Sequence, residues 1–303
     1  MRAFITGGAG FIGSHLTDYL IRNGAEVHVL DNLVSGLERN VNREAKLHIG
    51  DIRADESAEL LLRCAPDCVF HLAAQIGVGP SLLSPSADAD TNVVGTLRLL
   101  EACRSAGAGK LVFSSSSAVY GDLPHERISE ESPPAPLSFY GLSKDTAERY
   151  IRLYSRLTGL NYTILRYGNV YGPRQRAVGE GGVVAIFLDR LQRDLPLVVH
   201  GDGEQTRDFV YVRDVVRANA AAVRLGDKQI INIGTGRKTS IRQLAALLSA
   251  VHGSPAAIER TESRSGDIRN SCLNPAKAAR LLGWEAEFAL ARGLAETHRA
   301  LLN

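Results

Sequence analysis

Short apolar runs alternate with stretches of helical periodicity through the first half of this chain. Runs at 2–6, 26–30, 46–49, 68–72, 110–114 and 162–166 have strand length, and most lack polar alternation. Between them, apolar residues recur at helical spacing over 11–23, 56–64, 88–106 and 139–158. Strands apolar on both faces are covered on both faces, so this alternation predicts an α/β fold with a parallel sheet between helices. Right-handed crossovers make such a sheet doubly wound. After about residue 167 the pattern changes. A glycine-containing stretch, 168–182, precedes a helix at 183–193, and 197–200 and 208–212 read as strands. Gly201-Asp202-Gly203 reads as a turn. An amphipathic helix is expected at 240–252, and another opens at Asn274-Pro275 and ends before Gly283. This predicts a doubly wound domain over 1–167, returning around 207–236. A smaller, discontinuous α/β domain over 168–303 sits above the strand ends, with a cleft between the two.

Thr6-Gly7-Gly8-Ala9-Gly10-Phe11-Ile12-Gly13 directly follows the first apolar run and opens the first helix. Glycines there permit a tight bend, close approach to a pyrophosphate and close strand–helix packing. The helix N-terminus adds free N–H groups and a positive dipole end. The spacing is G-x-x-G-x-x-G rather than G-x-G-x-x-G. Its place between strand and helix identifies a Rossmann dinucleotide site. The second strand ends in Asp31, about 20 residues beyond the glycines, where a carboxylate accepts the adenosine ribose hydroxyls. It would repel a 2′-phosphate, so NAD is expected over NADP. Asp51, His71 to Gln75 and Ser114 to Ser117 also fall at strand ends, where this fold binds ligands.

Composition removes other classes. The net charge is +2 and no basic run is interleaved with aromatics, so nucleic-acid binding is not expected. No apolar run approaches a membrane helix, and the first strand leads straight into the glycine turn rather than to a cleavage site. A soluble, cytoplasmic protein is expected. Of the four cysteines, Cys64 and Cys68 lie close together, but no second Cys/His pair has ligand spacing. Buried free thiols and no metal are therefore expected.

Tyr140 and Lys144 share one face of a predicted helix. A tyrosine with a pKa of about 10 is a poor base at neutral pH. A nearby ammonium and an oxidised nicotinamide would stabilise its phenolate and make it a proton acceptor, later a donor. Ser114 to Ser117 lie upstream of Tyr140 at a strand end. Their hydroxyls suit a substrate hydroxyl or its ketone, and equally suit a polar loop that satisfies its own backbone.

These motifs resemble the extended short-chain dehydrogenase/reductase (NAD-dependent epimerase/dehydratase) family of nucleotide-sugar enzymes, and within it the UDP-sugar 4-epimerases. The resemblance runs nearly end to end. It includes Gly50-Asp51-Ile52, His71-Leu72-Ala73-Ala74-Gln75, Ser114 to Gly121, Tyr140-Gly141-Leu142-Ser143-Lys144, Arg166 to Pro173, Arg207-Asp208-Phe209-Val210 and Gly266-Asp267. It implies that Tyr140 is the acid/base, Lys144 its electrostatic partner, and Ser116 the ligand of the reacting C4 oxygen, with Ser117 the fallback. The cofactor wall would be Gly7, Gly10, Phe11, Ile12, Gly13, Asp31, Asn32, Asp51, Ile52, Leu72, Ala73, Ala74, Gln75, Asn92, Ser114, Tyr140, Lys144 and Tyr167, with Lys144 on the nicotinamide ribose. The UDP diphosphate would fall to Asn169, Arg207 and Arg264, with Asp267 beside the last. The uridine would fall to Gly182, Val183, Val184 and the segment Val198 to His200.

The expected reaction is NAD-dependent 4-epimerisation of UDP-glucose and UDP-galactose through a transient 4-keto sugar. Dehydratases of this family usually carry Asp-Glu in the serine motif and decarboxylases a Glu. This chain has Ser117-Ala118 there. A related reductase, dehydratase or decarboxylase, or an NAD-binding sensor without turnover, stays as the alternative. Counting from Gly266-Asp267 places Ser271 where glucose/galactose-restricted members carry tyrosine. The smaller residue leaves room for an N-acetyl group, so UDP-GlcNAc and UDP-GalNAc are further candidate substrates. The resemblance also implies a homodimer through the helices at 88–106 and 139–158.

Overall fold

A computed structural model describes residues 1–123, 126–177, 182–263 and 268–302. Strands β1 (Arg2–Thr6), β2 (Glu26–Asp31), β3 (Lys46–Ile49), β4 (Cys68–His71), β5 (Lys110–Ser116) and β6 (Asn161–Tyr167) join a later strand, Gln229–Ile233, in one sheet. Its order is Gln229–Ile233, β6, β5, β4, β1, β2, β3, with every pair parallel. The expected doubly wound parallel sheet is therefore present. β4 is buried along its whole length, as its unbroken apolar run requires.

Each face of the sheet has its own core. Val27, Val29, Phe70 and Ile231 pack under helix α1 (Phe11–Arg22) and the helix Val212–Ala221. Phe4, Leu30, Val69, Leu111 and Ile164 pack on the other face against helix α2 (Asp55–Cys64) and the helices Gly95–Ser105 and Phe139–Thr158. A third core gathers Tyr171, Phe187, Leu188, Tyr211, Leu244 and Leu294 from the segments after residue 168.

Apart from Gln229–Ile233, the described residues of those later segments hold only short pairings. Phe209–Tyr211 lies parallel to Asn169–Tyr171, Ile258–Thr261 parallel to Leu197–His200, and Thr239–Ser240 antiparallel to Thr206–Arg207. The strand expected at 208–212 is shorter, and Val212 already opens a helix. The helix expected at 88–106 is divided into Pro85–Ala89, a π-helical turn Asp90–Val94 and Gly95–Ser105. The serine run also departs from expectation. β5 continues through Ser116, because Ser114, Ser115 and Ser116 keep register with Leu165, Arg166 and Tyr167 of β6.

Candidate active site

The glycine turn is held by sterics. Gly7 sits at φ +73°, and a Cβ there would lie 2.6 Å from the Ala73 nitrogen on β4's extension. A Cβ on Gly13 would collide with the Gly7 carbonyl oxygen. Both positions demand glycine. α1 begins after Gly10 with no side-chain cap, so its first N–H groups face the cleft. Asp31 accepts from the Ala9 amide through Oδ2 at 2.9 Å and from Leu33 through Oδ1. It thereby ties the end of β2 to the turn, and a carboxylate's remaining lone pairs are available to ribose hydroxyls.

The cleft above these strand ends has a volume of about 360 Å³. Gly7, Gly10, Phe11, Ile12, Gly13, Asp31, Asn32, Asp51, Ile52, Leu72, Ala73, Ala74, Ser114, Ser116, Tyr140, Lys144, Tyr167, Asn169 and Gly182 all line it. Residues separated by up to 175 positions thus share one wall. Arg53 was not foreseen. Its guanidinium grips Asp51 through Nε and Nη2 at 2.8 Å and reaches Asp90 at 2.6 Å. It holds the Asp51 carboxyl well below the usual carboxylate range.

Two predicted cofactor residues stand behind the wall. Asn92 lies in the π-helical turn and is buried. Its Oδ1 accepts from the Gln75 amide, and its Nδ2 donates to the Gln75 carbonyl, to Asp88 and to Ser143. It shapes the loop after β4 rather than lining the cleft. The Gln75 side chain bonds to Gly77, and Ile76 faces the cleft in its place. His71 is paired with Thr6 and Thr96 on its two ring nitrogens. Burial, and then Lys144, lower its pKa to about 3, so it remains neutral.

At the reacting end, the alternation of β5 sorts the serines. The Ser116 hydroxyl lies beside that of Tyr140 and accepts from the Ala118 amide at 3.1 Å. Ser115 points the other way and donates to Glu148, which pairs with Arg166 in the interior. Ser114 lies beside the Tyr167 hydroxyl, which is bonded to Asn219. Its carbonyl accepts from Lys144 Nζ at 3.0 Å. The ammonium also lies 4.9 Å from the Phe113 ring centroid. Burial lowers the Lys144 pKa to about 8, against the opposing charges of Asp88 and Glu148. Burial raises that of Tyr140, offset by Ser116 and reinforced by Asp88. Asp88 was also missed. It is buried, accepts from Asn92, lies beside Ser143, and has one oxygen without a hydrogen-bond partner among the described residues. An acid amid short polar residues on a helix gives no sequence signal for this.

The predicted nucleotide-sugar residues are less closely gathered. Val184 is buried in the third core, and Val183 packs against it. Val198 and His200 lie on the Leu197–His200 strand, outside the cleft lining, with His200 bonded to Thr261. Arg207 donates to the Thr206 carbonyl. Ser271 is buried, and its amide donates to Thr206. Arg264 and Asp267 lie outside the described residues. Gln175 was not anticipated. It lines the cleft with a buried Oε1 that has no hydrogen-bond partner.

The model of the NAD-dependent epimerase/dehydratase family matches residues 3–234. The chain belongs to that family. It is 44% identical over 291 residues to a putative UDP-glucose 4-epimerase of Methanocaldococcus jannaschii, covering 96% of this chain and 95% of the other. Among solved structures, a Thermotoga maritima UDP-glucose 4-epimerase with UDP-glucose superposes with a TM-score of 0.98 at 45% identity. That match covers 100% of this chain and 99% of the other. A Thermus thermophilus UDP-glucose 4-epimerase in complex with NAD gives 0.96 at 40% identity, with the same coverage. The glycine cradle, the uncapped helix start and Asp31 fit the NAD on which this family depends.

Proposed function

We propose that this chain is a 4-epimerase that interconverts UDP-glucose and UDP-galactose with bound NAD. The observation that carries the reading is the meeting of Tyr140, Ser116 and Lys144 at the end of the glycine-turn cleft. The likeness to enzymes of that name over essentially the full chain supports it. Tyr140 takes the proton of the sugar 4-hydroxyl and returns it after the sugar has turned. Ser116, held by the Ala118 amide, presents its hydroxyl to the C4 oxygen. Lys144 supplies the positive charge that makes a buried phenolate accessible. NAD, when bound, would take hydride from C4 and return it to the opposite face, so there is no net redox. Asn169, Gly182, Arg207, Arg264 and Asp267 would hold UDP while the 4-keto sugar swings. Absence of an acid at Ser117-Ala118 disfavours elimination and decarboxylation.

The division into an NAD-binding domain over 1–167, with a return near 207–236, and a nucleotide-sugar domain over 168–303 belongs to the same proposal. So does a cytoplasmic homodimer. Among the described residues no helix is long and apolar enough to cross a membrane. Leu142, Tyr150, Leu153 and Leu157 form an exposed apolar stripe on the helix Phe139–Thr158, beside exposed Val94. Sedimentation at twice the chain mass of 32.7 kDa would support the dimer.

The deciding experiment is proton NMR of the purified protein with UDP-galactose and, separately, UDP-GalNAc, without added cofactor. Appearance of the 4-epimer supports both the reaction and a retained NAD. No conversion of either, even with NAD supplied, would overturn the reading in favour of another nucleotide sugar, a reductase or a non-catalytic binder.

A further inference from the structure

On the flank of the sheet away from the strand ends, three ligand-type side chains converge from separate elements. His28 is mid-strand in β2, His48 lies in the edge strand β3, and Cys64 is the last residue of α2. His48 is the register partner of Leu30, so it shares a sheet face with His28 two residues away. α2 covers that face and brings its C-terminal thiol down onto the pair. His28 Nδ1 is 3.2 Å from His48 Nε2 and 3.1 Å from Cys64 Sγ. All three ligand atoms lie within 4.8 Å of one another. The imidazoles are stacked, 5° from parallel.

The proton count explains why this grouping is unusual. Glu26 Oε1 lies 3.3 Å from His28 Nε2 on the far side of the ring. A proton on Nε2 satisfies that contact and leaves Nδ1 as a bare lone pair. That lone pair faces both the His48 nitrogen and the Cys64 sulfur, and it can accept well from only one of them. A carboxylate on the outer nitrogen of a ligating histidine is the usual support of a metal-bound imidazole. Bond lengths of about 2.0–2.3 Å place tetrahedral nitrogen and sulfur ligands roughly 3.3–3.6 Å apart, so the two contacts of His28 need to open by only a few tenths of an ångström, and His48 Nε2 and Cys64 Sγ, within 4.8 Å of each other, need to close by about an ångström at most.

We propose that His28 Nδ1, His48 Nε2 and Cys64 Sγ form a three-ligand site for a zinc-class divalent ion. It clips the edge strand β3 and the end of α2 to β2. Thiolate with two imidazoles selects zinc, cobalt or nickel over magnesium or calcium. Binding forms one metal–sulfur and two metal–nitrogen bonds and releases the thiol proton to solvent. His48 is only half-buried, which gives the ion an entry path and a water its fourth position. Lys46 and Arg2 are near, but both are engaged by Glu26 at 2.6 and 3.1 Å. Sequence spacing gave no sign of the site, because its ligands come from two strands and a helix 36 positions apart. Cys68, the neighbour that spacing suggested, is not part of the cluster.

The test is titration of the tag-free, chelator-treated protein with Co²⁺, read by absorption, followed by Zn²⁺. One equivalent should give a thiolate-to-cobalt charge-transfer band with the visible bands of a tetrahedral ion, both erased by zinc. His48→Ala and Cys64→Ser should lose the charge-transfer band while keeping the wild-type circular dichroism. The nearby-paired His252 and His298 cannot imitate that band, having no thiol partner in their contact. No band in the wild type, or a band unchanged in both variants, would overturn the proposal. Should a variant fail to fold, mass-mapped alkylation of the wild type decides. Zinc must slow modification of Cys64 at least tenfold, and equal rates with and without zinc would also overturn the site.

Discussion

The sheet that carries the cleft and the segments after residue 168 are held together in different ways. The first is one seven-stranded array whose strands are bonded along their length. Its site residues sit at strand ends or on the helices packed against them, so their placement follows from backbone register and helical spacing. Apart from Gln229–Ile233, which joins that sheet, the described residues of the second have only two-stranded pairings of two to four residues. Its loops hang instead on single buried acids. Asp208 accepts from the Thr235 amide and hydroxyl, the Gly236 amide and the Leu273 amide. Asp214 accepts from the amides of Glu287 and Phe288. Exposed Asp122, from before residue 168, adds acceptors for the amides of Arg269 and Asn270. Chemistry in the first region is separable from folding, whereas order in the second depends on individual side chains.

The largest effect that sharpens this contrast is Tyr140→Phe. Removing the acid/base should cut turnover by about 10²–10⁴-fold. The ring stays, so the denaturation midpoint should barely move. Turnover near that of the wild type would remove Tyr140 from its role. Asp208→Ala is the counterpart in the second region. Four donors lose their shared acceptor in the interior, which costs about 3–4 kcal/mol of stability. Urea denaturation should register this, along with a weakened hold on UDP relative to NAD. Unchanged stability would mean that the pairings alone suffice.

What could be read from the sequence divides along the same line. β1, β2 and β4 are apolar runs with one solution, a buried parallel strand, and the glycine turn fixes where the ligand goes. Tyr140 and Lys144 follow from helical spacing. The strand Gln229–Ile233, the helix Val212–Ala221 and the helix Leu290–Leu302 left weaker signals. The first carries Asn232 in a fully buried position, bonded to Tyr120, and polar atoms in an apolar run blur the pattern. Asp88, Asn92 and Arg53 escaped notice or were misplaced for a related reason. Their work lies in partners distant along the chain, and a residue's type does not reveal whether it faces the cleft or supports its wall.

A smaller effect concerns the sugar. Ser271 is buried beside the bridge between Asn270 and Thr206, and its amide donates to the Thr206 carbonyl. Ser271→Tyr should shift the ratio of N-acetylhexosamine to hexose turnover toward the hexose by roughly 1–3 kcal/mol. Relative rates with UDP-GalNAc and UDP-galactose measure it. An unchanged ratio would show that the sugar pocket is bounded elsewhere.

The last effect is a pH dependence of opposite sign in activity and in stability, small within one unit of pH 8. Lys144 has a pKa of about 8 in the folded protein, depressed by burial. In the unfolded chain a lysine titrates near 10.4. Below pH 8 both states carry the charge, and the fold bears the cost of burying it. Between about 8 and 10.4 the folded state has released a proton that the unfolded state still binds, so this residue's contribution to stability rises with pH. Activity runs the other way. The neutral amine no longer supports the Tyr140 phenolate, so kcat/KM, which reports the free enzyme, should fall about tenfold per unit above pH 8. Lys144→Met removes the titrating group, so its stability relative to the wild type should decline across that same window. A stability difference that is flat from pH 7 to 10 would place the Lys144 pKa outside it, and the alkaline limb of activity would then belong to another group.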